Sequence, residues 1–382
     1  MLLLVSILFL ITKEKNMKKE RQSNIEVLRI LSMLMIIGHH FALHGRFNYS
    51  QYNAQLVDVE KVLVIFQAFG KVGVDIFVLI GAYFLVGRKY KSSRIVNLLL
   101  VSTFYSTAIY ILFVTFNLDI RSDFSNENIW LPFPGISSYW FVWSYIVMLI
   151  FMPVLNIALK NMTKKQLQWL LIALSIIWVF IPQLNGYFPG KMDFGMDQLG
   201  YSDGIFFIYL YLVAAYLKLY PSKFTKSLWL NGITLLIAIA LIYLSIVTPI
   251  NKAALHPNLY SLKSAMLQEY SVLTVVVAIA IFNIFANINL GRIKFINWIA
   301  ASTFAVYLIH DNTLVRDVLW EYVDNSQIKN AYTMFWYGIK EIALIFMACV
   351  IIDIIRKLLL GWLFNWSTQK IGGLLDKIIL AK

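Results

Sequence analysis

The sequence predicts an all-α, polytopic membrane protein of about ten transmembrane helices with both termini in the cytoplasm. Three observations predict it. Of the 382 residues 60% are hydrophobic and only 14% charged, with a mean hydropathy of +0.71; a soluble domain of this size needs more polar surface. Apolar stretches of spanning length recur along the whole chain. Lys and Arg crowd alternate connections between those stretches, the pattern of loops kept in the cytoplasm.

Residues Met1 to Ile11 are apolar for about ten positions, half of what a span needs, and no small-residue cleavage site follows. The next residues, KEKNM, back-translate to a purine-rich ribosome-binding sequence ahead of an ATG at Met17. We therefore expect translation to begin at Met17, with residues 1–16 an extension that the native protein lacks. Residues 17–360 then form one membrane domain. Its spans fall at roughly 25–43, 62–87, 95–116, 139–159, 167–184, 204–220, 228–248, 268–288, 296–314 and 335–360.

The basic connections carry Lys18, Lys19 and Arg21; Arg88, Lys89, Lys91 and Arg94; Lys160, Lys164 and Lys165; Lys218, Lys223 and Lys226; Arg292 and Lys294; and, from the end of the last span onward, Arg356, Lys357, Lys370, Lys377 and Lys382. The opposite connections hold fewer basic residues, among them Arg46, Lys61 and Arg316, set among acids such as Asp119, Asp193 and Asp324. The net charge of +13 is thus a topology signal, and a nucleic-acid partner is not called for. Long opposite-side connections such as NENIWLPFPGISS are rich in aromatic, Pro and Gly residues and suited to folding over a cavity. Residues 361–382 alternate apolar and basic residues, an amphipathic cytoplasmic tail for the inner leaflet. The single Cys, Cys349, lies in an apolar run, so thiolate metal sites and disulfides are excluded and no metal is expected.

Charged residues inside spans are costly and mark function. The first span, IEVLRILSMLMIIGHH, carries Arg29 and His40 eleven residues apart, about three turns and about 16 Å of rise, so they share a face. His39 points about 100° away and is the less favoured of the two histidines. Asp75 in the second span, within KVGVDIFVLIGAYF, lies at a depth similar to that of His40 and could hold its imidazole; it could equally pair with Lys71, four residues earlier on its own face. The loop GRKYKSSR places Arg88, Lys89, Lys91 and Arg94 together as a cationic mouth for a phosphorylated donor. The ninth span ends TFAVYLIHDN, with Tyr307 and His310 three apart on one face. Trp140 and Trp143 open the fourth span at the same level, as interfacial aromatics or as faces on which a sugar stacks. A transferase between a cytoplasmic phosphorylated donor and an outward-facing acceptor needs these parts. A transporter or flippase of a glycan precursor or a small acid would use similar ones.

The residues also resemble a known family, the acyltransferase-3 integral-membrane acyltransferases, from Met17 to the tenth span. The resemblance rests on Arg29, ten intervening residues and His40; on VGVDIFVLIGAYF at Val72–Phe84; on the basic loop; on SYWFV at Ser138–Val142; and on STFAVYLIHD at Ser302–Asp311. Lys91 stands where the family usually has the first of two arginines, Asn97 replaces a common Pro, and Gly81–Ala82 replaces Ser-Gly. The resemblance implies transfer of an acyl group, usually acetyl from acetyl-CoA, to a hydroxyl of a surface polysaccharide such as a capsule or of its lipid-linked precursor, by a multi-pass protein of the bacterial cytoplasmic membrane. Carried over, His40 is the catalytic histidine, Arg29 a structural or CoA-contacting arginine, and Lys91 and Arg94 the residues that hold the CoA phosphates. The pantetheine arm would reach across the Arg29 to His40 interval, and Tyr307 or His310 would steady the oxyanion.

Overall fold

In lipid a backbone must satisfy its own N–H and C=O groups, so apolar runs of this length fold as helices. A computed structural model describes residues 22–47, 56–116, 118, 139–187, 199–252 and 268–379, and every regular element among them is helical. The expected start at Met17 and most of the long aromatic connections lie outside the described residues.

In chain order the helices are α1 (Ser23–His44), α2 (Val57–Leu85), α3 (Ser93–Thr115), α4 (Trp140–Asn161), α5 (Lys164–Ser175), α6 (Ile181–Tyr187), α7 (Asp203–Leu219), α8 (Lys223–Lys226), α9 (Leu228–Lys252), α10 (Val272–Asn287), α11 (Lys294–Ala300), α12 (Thr303–His310), α13 (Thr313–Tyr322) and α14 (Ala331–Ile379). A π turn, Ile176–Phe180, joins α5 to α6. Six segments are long and apolar enough to cross a membrane: α1, α2, α3, α4, Lys164–Leu184 and Leu228–Ser245. The other four expected spans are helical too, but each differs from a simple crossing: α7 and α10 are short, α11 and α12 split the ninth, and α14 runs far beyond the tenth. Burial is inverted relative to a soluble protein, since Ile157, Trp169, Leu236 and Leu244 are exposed while Ser32, Asp75, His310 and Asp353 are buried.

The centre of the bundle is the α1–α2 pair, the most extensive helix contact among the described residues. Two glycines of α2 allow it. A Cβ on Gly70 would meet the His39 side chain, and one on Gly73 would sit 2.6 Å from the Ser32 carbonyl oxygen. The VGVDIF block therefore owes its small residues to a close helix crossing.

The ninth expected span breaks at Ala301–Ser302, between α11 and α12. A break inside a membrane bundle frees carbonyls that need partners. Here Thr303 donates from its hydroxyl to the Ala300 carbonyl at 2.9 Å, and Lys357 of α14 donates to the Ala301 carbonyl and the Ser302 hydroxyl, both at 2.9 Å. Lys357 also pairs with Asp353 at 2.7 Å, whose carboxylate accepts from Tyr105 of α3 at 2.7 Å. One ionic network thus ties α14 to α3 and to the break that precedes α12.

The amphipathic segment expected to be a separate tail continues α14 without interruption to Ile379. Gly372 packs against Ser93, and Asp376 accepts from the Ser92 backbone N–H at 2.7 Å. That hydrogen bond to a largely exposed carboxylate holds the Asp376 carboxyl below its ordinary range.

Candidate functional site

His40 is buried where α1, α2 and α12 converge. Its Nδ1 lies 2.9 Å from His310 Nε2, and His310 Nδ1 lies 2.6 Å from the Val306 carbonyl oxygen one turn earlier on α12. A carbonyl oxygen only accepts, which assigns the proton positions along the chain of three groups. His310 Nδ1–H donates to Val306, leaving His310 Nε2 as a lone pair. His40 Nδ1–H donates to that lone pair, leaving His40 Nε2 unprotonated. The arrangement delivers a neutral imidazole with a free basic nitrogen, held in one tautomer by a second histidine.

A carboxylate completes the set. Asp311 Oδ1 lies 3.8 Å from His40 Nε2, outside hydrogen-bond range but close enough to favour the imidazolium. Arg316 Nη2 lies 3.0 Å from the same oxygen, so the buried carboxylate is already neutralised. His40, His44 and Asp311 also bring one potential metal-ligand atom each within 4.8 Å of one another. Of these three, Asp311 is already paired with Arg316 at 3.0 Å.

The consecutive residues His310, Asp311 and Asn312 have separate tasks. His310 closes α12 and Asp311 faces Arg316. Asn312 caps α13 by accepting from the Leu314 N–H at 3.1 Å, and it donates to the Tyr139 hydroxyl at 2.7 Å. Tyr139 donates in turn to the Leu308 carbonyl at 2.8 Å. The SYWFV and YLIHDN blocks, far apart in sequence, thus lock together beside His40.

A cavity of about 260 Å³ opens at His40, lined among others by Met33, Ile36, Lys71, Trp140, Tyr307 and Arg316. Met33, Ile36 and His40 follow Arg29 at positions four, seven and eleven, so the expected common face of α1 is the cavity wall. The Tyr307 hydroxyl is buried at this cavity with no hydrogen-bond partner of good geometry among the described residues. The Tyr307 ring lines the cavity beside His40, and its hydroxyl lies against the Phe141 backbone.

At the other end of α1, Arg29 is half-buried and pairs with Glu26 at 3.3 Å. Arg29 and Arg94 both lie within electrostatic reach of half-buried Tyr145. Arg94 donates to the Lys89 carbonyl at 3.0 Å, while Arg88 and Lys91 are exposed. The loop that carries them is fixed by Asn156, which donates to the Arg88 carbonyl at 3.1 Å and accepts from the Gly87 N–H at 3.0 Å. Gly87 needs its φ of 74° to turn the chain there. A fixed basic cluster thus lies at one end of α1 and a histidine pair towards the other.

A protein-family model described as "Acyltransferase domain", that of the acyltransferase-3 family, matches residues 22–355. The chain belongs to the acyltransferase-3 family. It is a membrane acyltransferase, and its match covers every residue of the His40 site. Neither a curated protein nor a solved structure matches the chain.

Two pairings expected for Asp75 in this acyltransferase are corrected. Asp75 lies two residues from Gly73 and five from Gly70, so on a helix it points away from the face of α2 that contacts α1. It is fully buried and neither carboxylate oxygen has a hydrogen-bond partner among the described residues. Lys71 pairs instead with Glu269 at 2.9 Å. The carboxylate near His40 is Asp311. His310, expected as an oxyanion donor, is the acceptor that positions His40. Trp140 lines the cavity, whereas Trp143 is 42% exposed and is not part of its lining. His39 also lines the cavity, its Nδ1 donating to the Gln67 carbonyl at 2.9 Å.

Sequence reading missed Arg316, His44 and Tyr139. His44 had a signal, its four-residue spacing from His40 on one helix face. Tyr139 sat unused in a recognised block. Nothing local pointed to Arg316, because its partner Asp311 lies across a helix boundary.

Proposed function

We propose that this acyltransferase moves an acetyl group from cytoplasmic acetyl-CoA to a hydroxyl of an extracytoplasmic polysaccharide, such as a capsule, or of its lipid-linked precursor. It would act in a bacterial cytoplasmic membrane, with ten crossings and both termini inside. The observation that carries this reading is the His40–His310–Val306 chain, which leaves His40 Nε2 free at a cavity about 16 Å of helix rise from the Arg29 end.

His40 Nε2 takes the acceptor's hydroxyl proton as the oxygen attacks the thioester carbonyl. His310 accepts from the imidazolium through Nδ1–H, and Asp311 opposes its charge. The Tyr307 hydroxyl donates to the tetrahedral oxyanion. Collapse breaks the carbon–sulfur bond, and His40 Nε2–H returns its proton to the departing thiolate. Proton and charge balance within the site, so no external base is needed. Arg94, Lys91, Arg88 and Arg29 form the donor end, where phosphate groups match the cationic cluster.

The test is consumption of acetyl-CoA by purified protein supplied with a glycan acceptor, with His40→Ala as the control. We expect consumption to fall at least about 100-fold in the variant, the lower end of the usual loss for a general base. Full activity in His40→Ala, or no consumption by the native protein, would overturn the reading.

A further inference from the structure

The lone cysteine excludes thiolate metal sites, but the cavity at His40 holds a nitrogen and oxygen set that the acyl-transfer steps use only in part. His40 and His44 are four residues apart on α1, and their ring centroids are 5.5 Å apart. Histidines at this spacing share a helix face and can present both rings to one ion. Asp311 adds a third group, and the three residues bring one ligand atom each within 4.8 Å of one another. All three line the same cavity of about 260 Å³, so an ion meets them from one space.

Metal ligands need their remaining atoms held, and two of the three are held already. A ligating histidine normally donates its second ring N–H to an acceptor that fixes its tautomer. His40 Nδ1–H does so to His310 Nε2 at 2.9 Å, and the Val306 carbonyl fixes His310 in turn. A ligating carboxylate is likewise hydrogen-bonded. Asp311 accepts from Arg316 Nη2 at 3.0 Å, and a carboxylate keeps further acceptor sites beyond one such contact. His44 is half-buried and neither of its ring nitrogens has a hydrogen-bond partner among the described residues.

Charge and geometry select the ion. Arg316 offsets the charge of Asp311, so the two imidazoles must supply most of the affinity. That favours Zn²⁺ and similar borderline ions over Mg²⁺ or Ca²⁺, which take oxygen ligands. Tetrahedral zinc, with bonds of about 2.0–2.2 Å, spaces its ligand atoms about 3.3–3.6 Å apart. His40 Nε2 and Asp311 Oδ1 stand 3.8 Å apart. His44 lies in the last turn of α1, and a turn of its side chain closes the rest. Three protein ligands leave the fourth position to water, as in open zinc sites. His44 and Arg316 also line an adjoining space of about 200 Å³, which gives the ion a way in past Asp317 and Glu321.

We infer that His40, His44 and Asp311 form an inhibitory site for a divalent transition-metal ion of the Zn²⁺ class. The ion takes the Nε2 lone pair of His40, the same lone pair that removes the acceptor's hydroxyl proton, so metal binding and acyl transfer exclude one another. The inhibition rests on the acyl-transfer reading; the metal site does not.

The experiment is calorimetric titration of ZnCl₂ into the full chain in detergent, stripped of metal by a chelator and without acyl donor. It is repeated with CoCl₂, whose visible absorption intensifies on four-coordinate binding. Native protein is expected to bind one equivalent. His44→Gln and Asp311→Asn should each bind about 100-fold or more weakly, because loss of an outer-shell partner alone costs about 10- to 100-fold. His39→Gln, on the same cavity but outside the ligand set, should bind as native does. No binding by native protein, undiminished binding in both ligand variants, or an equal loss in His39→Gln would overturn the site. In the acetyl-CoA consumption assay zinc should inhibit with a constant equal to its calorimetric Kd, and chelator should reverse it. Undiminished consumption at saturating zinc would overturn the inhibition. No consumption by metal-free protein would sink the acyl-transfer reading, and the calorimetry would still decide the site.

Discussion

Replacing His310 by Phe tests the histidine pair directly. Phe keeps an aromatic ring against Tyr307 and His40 but removes the acceptor 2.9 Å from His40 Nδ1. At this fully buried position the stranded N–H costs about 1–3 kcal/mol in the resting enzyme. The loss grows when His40 takes up a proton, because the same N–H then carries charge and its hydrogen bond is roughly twice as strong. The increment, about 1–3 kcal/mol, is the part that raises the barrier, and it corresponds to about a 5- to 150-fold lower kcat. KM for acetyl-CoA should stay near native if the basic cluster at the other end of α1 is the donor end proposed above. His310→Gln retains a carbonyl oxygen as acceptor and should recover part of the rate. Steady-state kinetics on purified protein measure all three. A Phe variant within twofold of native would refute the positioning role, as would a Gln variant no better than Phe at equal thermal stability.

Three further outcomes follow from particular contacts. Tyr307→Phe breaks no hydrogen bond of good geometry, so thermal stability should hold while kcat drops about 100- to 1,000-fold, the usual loss for an oxyanion donor; a native kcat would exclude the phenol from the reaction. Gly73→Ala puts a Cβ 2.6 Å from the Ser32 carbonyl and should cost about 1–3 kcal/mol by prising α1 from α2, seen as a lower thermal-inactivation temperature with reduced activity. Asp376 caps the start of α3 only while ionised, and its carboxyl is held below the ordinary range. The contact is therefore fully present above the unperturbed value of about 3.9 and is lost as pH falls through the lower folded value. Asp376→Asn should make the Ser92 amide exchange faster at neutral pH, and unchanged protection would show that the last turns of α14 dock by Gly372 alone.

The fold class was legible because lipid imposes it. Composition and basic-loop asymmetry required a helical bundle, and each expected span is occupied by helix. What composition could not reveal was where a helix breaks. The split at Ala301–Ser302 depends on Lys357, fifty-six residues away, and no local pattern announces that partner. The face shared by Arg29 and His40 was legible from helical period alone, and Met33 and Ile36 confirm it by lining the same wall. The partner of His40 was not legible. Depth arithmetic placed Asp75 level with His40, but depth is one coordinate of two. The azimuth of Asp75 follows from Gly70 and Gly73, which turn their own face towards α1 and so turn Asp75 away. The glycine spacing was visible in the sequence, and it would have ruled out the pairing had it been read as a contact face.

The broken helix explains how a bundle this apolar holds a base. His310 and Asp311 project about 100° apart, and the Asp311 N–H keeps the helical bond to the Tyr307 carbonyl at 3.1 Å. The two side chains therefore meet different nitrogens of His40, His310 at Nδ1 and Asp311 near Nε2. His310 keeps its helical position, which supplies the Val306 carbonyl that fixes its tautomer. Asp311, at the C-cap of α12, turns towards His40 and Arg316. Asn312 starts α13 and ties the turn to Tyr139, and α13 returns Arg316 to neutralise Asp311. An unpaired carboxylate beside two histidines would be costly to bury. Because the compensating cation comes from the next helix and not from His40 itself, the carboxylate can favour the imidazolium without capturing the proton that the base proposed above gives back.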